Sequence, residues 1–569
     1  MTEEPTSRIA PPLTELPIRR AERGFYSGFS KQVTIPSKII ISLLIIWAIA
    51  FPSAAGETLG VANTTIIQLF SGWYVWLVAL LLIASIVLAA LPVSGRLRLG
   101  CEGDVPEFSR FSWFAMMFGA GLGIGMLTYS TGEPLYHLQN NPVIIAGGAE
   151  AVTPGAVRSA YLYAFLHWGF SAWAIYAVVG LAIGYVAYRR GLPLTIRSGL
   201  APLFGHRLSG LAGHVVDVVA VVATILGIAV TLGLGVEQFV QGLNRIGLGD
   251  WLIGSEGTAS TSAIVLALAV IVGASTLSAL SGVGKGIKWL SNLNLILSFI
   301  LFAAFIVLGA TMFSLQIFGQ GLVDYVMALP VLSFSAATAD GTTVGDAIAQ
   351  WQLDWTVFYW AWWIAFAPFV GMFIARVSKG RTVREYILGV VLAPSLMCFV
   401  WLALIGGTAV DLVLSGAGQG NIIGTVLSDQ LYATIAALMS PGMAYAFSIL
   451  VVALLLTYVI TSADSAILVV NTINAGGNDS EHGRRHIIFW GVAIALVVGS
   501  LLVVGGLDAI RTAMILGALP FSFVTALLAV SLIKAIWRDR QRLEQGVACT
   551  LPPAAESTPA RLPDEPEPS

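Results

Sequence analysis

The sequence predicts an all-α polytopic membrane protein, and three observations predict it. Hydrophobic residues make up 57% of the 569 and charged residues only 11%, against roughly 25% charge in ordinary soluble domains. Apolar runs long enough, at about 20 residues each, to cross a hydrocarbon core as helices recur from Ile39 to Ile533. Lysine and arginine crowd into alternate connections between those runs.

Taken in order, the runs place twelve transmembrane helices near 39–55, 73–92, 111–132, 160–187, 213–243, 262–282, 290–318, 355–376, 385–408, 438–472, 487–505 and 512–535. The first follows a polar tail of 37 residues and is trailed by further spans. That is not the layout of a cleavable signal peptide, so the run reads as retained. The organisation is then a tail at 1–37, a twelve-helix membrane domain at 38–536 and a second tail at 537–569. Six prolines after Arg542 make the last tail read as disordered.

One set of connections, with both tails, carries 26 of the 29 Lys and Arg; the other set has only Arg158, Arg245 and Arg511. The positive-inside rule puts the first set in the cytoplasm, which requires an even number of spans and both termini inside. The stretch from Gln316 to Asp354, with Asp324, Asp340 and Asp346, is too polar to cross and reads as an external amphipathic or loop region, as does Asp411 to Tyr432. Cys101, Cys398 and Cys549 are scattered and fit neither a disulfide framework nor a metal site. A net charge of -2 argues against a nucleic-acid partner.

Two spans carry groups that lipid does not tolerate. In "FGAGLGIGM", Gly119, Gly121, Gly123 and Gly125 weaken the third helix by about 1 kcal/mol each relative to alanine. Such a stretch either unwinds inside the protein, freeing carbonyls to ligate a cation or solute, or packs closely as small residues do. Its spacing is not that of a nucleotide loop. In the tenth span, "TYVITSADSA" sets Thr457, Thr461, Ser462, Asp464 and Ser465 among apolar residues. Groups of this kind at membrane depth line an ion or solute pathway, or the hydroxyls bond back to their own helix.

Aromatic rings concentrate in two further spans. In "HWGFSAWAIY", Trp168, Trp173 and Tyr176 fall within an arc of about 140° of one helix, and in "WAWWIAFAPF", Trp362, Trp363 and Phe366 fall within about 100°. An interfacial belt explains Trp355 and Tyr359 at the start of the eighth span, but Trp363 lies about 12 Å further in. Ring faces suit a quaternary ammonium or sulfonium group, which cannot donate an N–H bond, at about 0.5 to 2 kcal/mol per face. A zwitterion brings its own negative charge and needs no carboxylate in the cage, and the glycine stretch has none.

These stretches, with "GAGLGIGMLTYSTGEP", "DWTVFYWAWWIAFAPFVGMFIARVSKGRTVRE" and "TSADSA", resemble the betaine/choline/carnitine transporter family over about residues 38 to 536. The resemblance implies two inverted five-helix repeats of the leucine-transporter-like fold, at about 111–318 and 355–536. It implies a solute cage of Trp168, Trp173, Tyr176 and Trp363, with Trp362 beside it and Phe366 where relatives often carry a further tryptophan. Ala365 and Ala367 stand where they carry serines. A sodium site would use the carbonyls of Gly119, Leu122 and Tyr458 and the hydroxyls of Thr461 and Ser462. A second would draw on Thr224 and the ring of Phe369, but its third position is Ile228.

Choline-preferring relatives carry an acid near Gly125, so the resemblance favours sodium-coupled import of a zwitterion such as glycine betaine, dimethylsulfoniopropionate or carnitine. It leaves as alternatives an exchanger or proton-coupled carrier for trimethylamine N-oxide or choline. It also implies a homotrimer in the inner membrane, with sodium as coupling ion and no other cofactor, and the short Pro-rich tail implies weak or absent osmotic activation. A non-transporting solute sensor would bring a signalling domain, for which neither tail is long enough, and a channel would need no occlusion. An enzyme is the least favoured reading, because His167 is the only histidine placed well inside a span and has no evident nucleophile or metal partner, so it reads as a hydrogen-bonded structural residue.

Overall fold

The computed structural model describes residues 9–101, 103–121, 123–281, 286–478 and 483–551, which form helices with no strand among them. We number α1 (Lys31–Ala50), α2 (Pro52–Ala90), α3 (Arg110–Gly121), α4 (Ile124–Gln139), α5 (Val157–Trp168), α6 (Phe170–Arg190), α7 (Leu211–Arg245), α8 (Thr261–Ser281), α9 (Gly286–Leu308) and α10 (Thr311–Leu332). There follow α11 (Thr343–Gln352), α12 (Phe358–Val377), α13 (Val383–Leu414), α14 (Gln430–Leu438), α15 (Pro441–Asn474) and α16 (Arg484–Glu544). A π-helical turn, Leu353–Val357, joins α11 to α12 without a break.

Apolar side chains face both ways, as a lipid solvent requires. On α1, Ile41, Ile45 and Ala48 are buried while Ile40, Leu43 and Ile46 are exposed. The centre is α7, buried through most of its length from Ala220 to Gly242 and packed on α12, α15 and α16. Helix α6 packs on α2, α12 and α13. At the crossing of α6 and α12, a Cβ on Gly180 would stand 2.7 Å from the Gly371 carbonyl oxygen. Only glycine permits so close an approach of two backbones.

Eleven helices among the described residues are long and apolar enough to cross a membrane. The third span is not among them because it is broken. It ends as α3 at Gly121 and resumes at Ile124, after Gly123 in extended conformation (φ -171°, ψ -171°). The resumed helix runs to Gln139, seven residues past the expected end at 132. The last two expected spans are one run, α16, interrupted by non-helical backbone at Gly505 and Gly506 (φ 63°). At Gly506 the positive φ requires glycine.

Two boundaries in the middle of the chain also differ. The seventh helix ends at Leu308 rather than 318, and the segment read as too polar to cross begins as α10, long and apolar enough for a span. Asp324 on α10 is not left to lipid: Arg158 grips it at 2.5 and 2.8 Å.

The fourth span is two helices rather than one, because Gly169 (φ -93°, ψ -150°) separates α5 from α6. A Cβ at Gly169 would meet the Phe165 carbonyl at 2.5 Å, the Tyr325 hydroxyl at 2.6 Å and the Phe399 ring at 2.7 Å. Tyr325 of α10 caps the new start, accepting the Phe170 N–H at 2.8 Å. Trp168 and the pair Trp173 and Tyr176 therefore sit on different helices, and the single-helix arc does not apply.

The second tail is likewise shorter than its expected range of 537–569. Helix α16 continues to Glu544, since no proline intervenes before Pro552, and it buries Asp539 and Arg542. Asp539 accepts from Arg190 at 3.0 Å, Arg542 at 2.6 Å and Tyr185 at 2.8 Å. The Leu551 N–H then bonds the Arg189 carbonyl at 2.9 Å. The reading of disorder beyond Leu551 lies outside the described residues.

Candidate functional site

The first element of the site is the break between α3 and α4. Its last regular backbone bond on the α4 side runs from the Leu127 N–H to the Gly123 carbonyl at 3.1 Å. Two residues on, Gly125 lies against the aromatic cluster. A Cβ there would be 2.9 Å from Trp362 Cη2 and 3.3 Å from Trp168 Cη2. The glycine stretch thus does both things its composition allows: it unwinds at Gly123 and packs at Gly125.

All six rings of the expected cage meet. Trp363 is their hub, with centroids 5.1 Å from Trp168 (73° between planes), 5.1 Å from Trp362 (7°) and 6.1 Å from Tyr176 (80°). Trp173 joins through Tyr176 at 5.5 Å and Phe366 through Trp362 at 6.4 Å. Trp168, Trp173, Tyr176 and Trp362 are buried, and Trp363 and Phe366 are half-buried. The Trp363 indole N–H donates to the His167 carbonyl at 2.9 Å. That carbonyl is one of those at the end of α5 whose helical partners the Gly169 break removes. The Trp362 indole nitrogen is buried without a hydrogen-bond partner.

Behind Trp168 is a polar cluster the sequence reading missed. Glu133 and His137 lie on α4, four residues apart and fully buried, in the stretch the expected span left out. Glu133 Oε1 is 2.6 Å from His167 Nδ1 and 3.2 Å from His137 Nε2. Its Oε2 accepts the Trp168 indole N–H at 2.6 Å and the Tyr359 hydroxyl at 2.5 Å. His167 Nε2 is 3.1 Å from the Thr356 hydroxyl. The pair Glu133 and His137 at helical spacing was a legible signal; that they meet His167 was not.

This cluster corrects two further readings. His167 is hydrogen-bonded, as a structural histidine would be, but it is not alone inside the bundle, because His137 lies beside it. Trp355 and Tyr359 are not explained by an interfacial belt: Trp355 meets His137 edge-to-face with centroids 4.6 Å apart, and Tyr359 is wholly buried. Nearby, the Arg511 guanidinium donates to the Tyr129 hydroxyl at 2.6 Å and covers the Phe358 ring at 4.9 Å.

The expected cation ligands are only partly described. Gly119 lies in the last turns of α3 and Leu122 falls outside the described residues. On α15 the Thr461 hydroxyl lies 3.1 Å from the Tyr458 carbonyl and accepts from Asn294 at 3.1 Å. Two oxygens at that spacing can share one hard cation at about 2.4 Å from each. Thr457 bonds only into its own helix, to Ala453 and Leu454. Asp464 reaches across to Ser278 at 2.7 Å. Of the second set, Thr224 bonds back to Ala220 at 2.8 Å, Phe369 packs on Phe366 at 5.9 Å, and Ile228 is buried with no oxygen to offer.

Comparison with known proteins gives the family of the chain. The betaine/carnitine/choline family transporter model matches residues 32–541. A glycine betaine transporter of Bacillus subtilis, OpuD, is 35% identical over 506 residues, covering 89% of this chain and 94% of that one. An osmo-independent choline transporter of Acinetobacter baylyi, BetT1, is 36% identical, covering 89% and 93%. An uncharacterised transporter of Mycobacterium tuberculosis is 37% identical, covering 91% and 85%. The chain is therefore a multi-pass membrane protein that belongs to the betaine/carnitine/choline transporter family.

Proposed function

We propose that the chain imports a zwitterionic quaternary ammonium or sulfonium solute, of the betaine, dimethylsulfoniopropionate or carnitine type, by sodium-coupled alternating access. The observation that carries the reading is the ring cluster on the broken helix. It offers faces to an onium group at about 0.5 to 2 kcal/mol each. A Cβ at Gly125 would stand 2.9 Å from the Trp362 ring, and the glycine stretch carries no acid to present to the cage. The Trp362 indole N–H, buried and unpartnered beside the cage, suits a solute that brings its own carboxylate.

In this mechanism the freed backbone at the α3–α4 break and the oxygens of Tyr458, Thr461 and Ser462 hold sodium. The ion joins the broken helix to α15 and favours the arrangement in which Gly125 meets the cage. Solute and ion then raise each other's affinity equally, as linkage requires. Twelve crossings follow if α3 and α4 count as one span, α16 as two and α10 as none. Both termini then face the cytoplasm, and the family resemblance adds a trimer in the inner membrane.

The test is uptake by purified protein in liposomes, with labelled glycine betaine, choline and carnitine and an imposed sodium gradient. Sodium-driven accumulation of a zwitterion, and counterflow of labelled against unlabelled solute, are expected. Binding without counterflow would make the chain a sensor, and accumulation indifferent to sodium would remove the coupling ion.

A further inference from the structure

We propose that Glu133, His137 and His167 form a proton-binding site that opposes occupancy of the aromatic cage by an onium solute. The proposal rests on the cage holding such a solute. It assigns to the cage a second, antagonistic ligand, the proton.

The hydrogen bonds set the charge of the cluster. Glu133 has four neighbours on its two oxygens, and the indole of Trp168 and the hydroxyl of Tyr359 can only donate to it. A carboxylate so surrounded is ionised, with each imidazole turning an N–H towards Oε1. His167 then accepts from the Thr356 hydroxyl through Nε2. His137 is different: its Nδ1 is fully buried with no hydrogen-bond partner, so it carries the one ring nitrogen of the cluster that nothing engages. An imidazole with one nitrogen on a carboxylate and an unengaged lone pair on the other has a place for a second proton, whose charge the carboxylate offsets. Taking up the second from solvent onto the Nδ1 lone pair makes an imidazolium beside the carboxylate and brings the cluster from net negative to neutral.

The groups facing His137 from neighbouring elements leave that role to it. From α5 come His167, 5.6 Å away between rings, and Tyr163 at 6.1 Å. From α11 and the π turn come the neutral rings of Trp351 at 5.3 Å and Trp355 at 4.6 Å. Tyr359 of α12 touches Glu133, and Arg511 of α16 stands one residue further off, on Tyr129. The permanent cation is thus engaged with a phenol and not with the carboxylate.

Trp168 carries the effect to the cage. Its N–H lies on ionised Glu133, which enriches the ring face it offers to a cation; its edge meets Trp363. Protonating the cluster weakens that polarisation and sets a second positive charge close to the onium group. Both consequences have the same sign. The solute-bound protein therefore holds the proton more weakly, releases protons when solute binds, and binds solute more tightly as pH rises. His137 touches no solute and acts as a positioning residue.

The experiment uses purified full-length protein. Without solute, wild-type tryptophan fluorescence followed from about pH 5 to about pH 8.5 should show one quenching step on acidification, since an imidazolium quenches indoles as near as Trp355 and Trp351. His137→Gln should lack it. With glycine betaine as probe, affinity should fall at least about fivefold from the alkaline to the acid limit. In weakly buffered solution near the midpoint, solute addition should release protons. A His137→Gln that binds with a flat pH profile supports the site; if that variant fails to fold, proton release by the wild type decides. Saturable binding without proton release or pH dependence overturns the inference and leaves the proposed function standing. No binding of any onium solute at any pH overturns both.

Discussion

Glycine is put to opposite uses at the α3–α4 junction and at the crossing of α6 and α12. At the α3–α4 junction, a Cβ on Gly123 would have nothing within 4 Å, and its extended backbone interrupts a helix. At the crossing of α6 and α12, Gly180 and Gly371 sit in regular helix, each where a Cβ would strike the other's backbone, at 2.7 and 3.1 Å. The first pair of helices is separated by freedom and the second held by contact. Proline sharpens the lesson: Pro368 lies inside α12, yet that helix runs unbroken from Phe358 to Val377. A helix wedged on both sides keeps its course despite a lost N–H, whereas one with open space at a glycine does not.

The comparison can be broken from several directions. The largest effect is expected at Glu133, which fastens the broken arm to α5 and α12. Glu133→Ala would leave four buried hydrogen-bonding groups without an acceptor, at a cost of about 3 to 5 kcal/mol, and should abolish accumulation of folded protein in detergent extracts. Next, Gly180→Ala forces a Cβ against the Gly371 carbonyl and the Tyr386 hydroxyl. A loss of about 1 to 3 kcal/mol should appear as a lowered melting temperature, and an unchanged one would show the crossing to be looser than its distances.

Smaller effects separate binding from motion. Trp363→Ala removes the hub of the cage and should weaken solute binding by about 1 to 2 kcal/mol in a fluorescence titration, with stability little altered. Unchanged affinity would remove the cage assignment. Gly123→Ala meets open space and gains up to about 1 kcal/mol of helix propensity, which favours closing the break. Uptake should slow while equilibrium affinity stays near that of the wild type, and faster uptake would show that the break is not what moves.

Much of this was legible in the chain. Apolar runs marked most of the helices because a lipid solvent filters sequence by length and hydropathy alone, and the resemblance reached the six rings because they lie in two short motifs. The readings that failed did so at polar or glycine positions. Residues 133 to 139 were left outside a span because Glu133 and His137 lower the mean hydropathy of their own helix, while the groups that satisfy them come from positions 167, 168 and 359.

The sequence by itself determined that the chain lives in a bilayer and which family it belongs to, since both depend on residues close together in one segment. Only the tertiary structure decided which glycine bends and which one packs, that Gly169 divides the fourth span under a cap from Tyr325, and that a buried carboxylate stands behind Trp168. Those outcomes depend on what lies across the gap, and in a medium that satisfies no polar group, the partner across the gap is what makes such a residue tolerable.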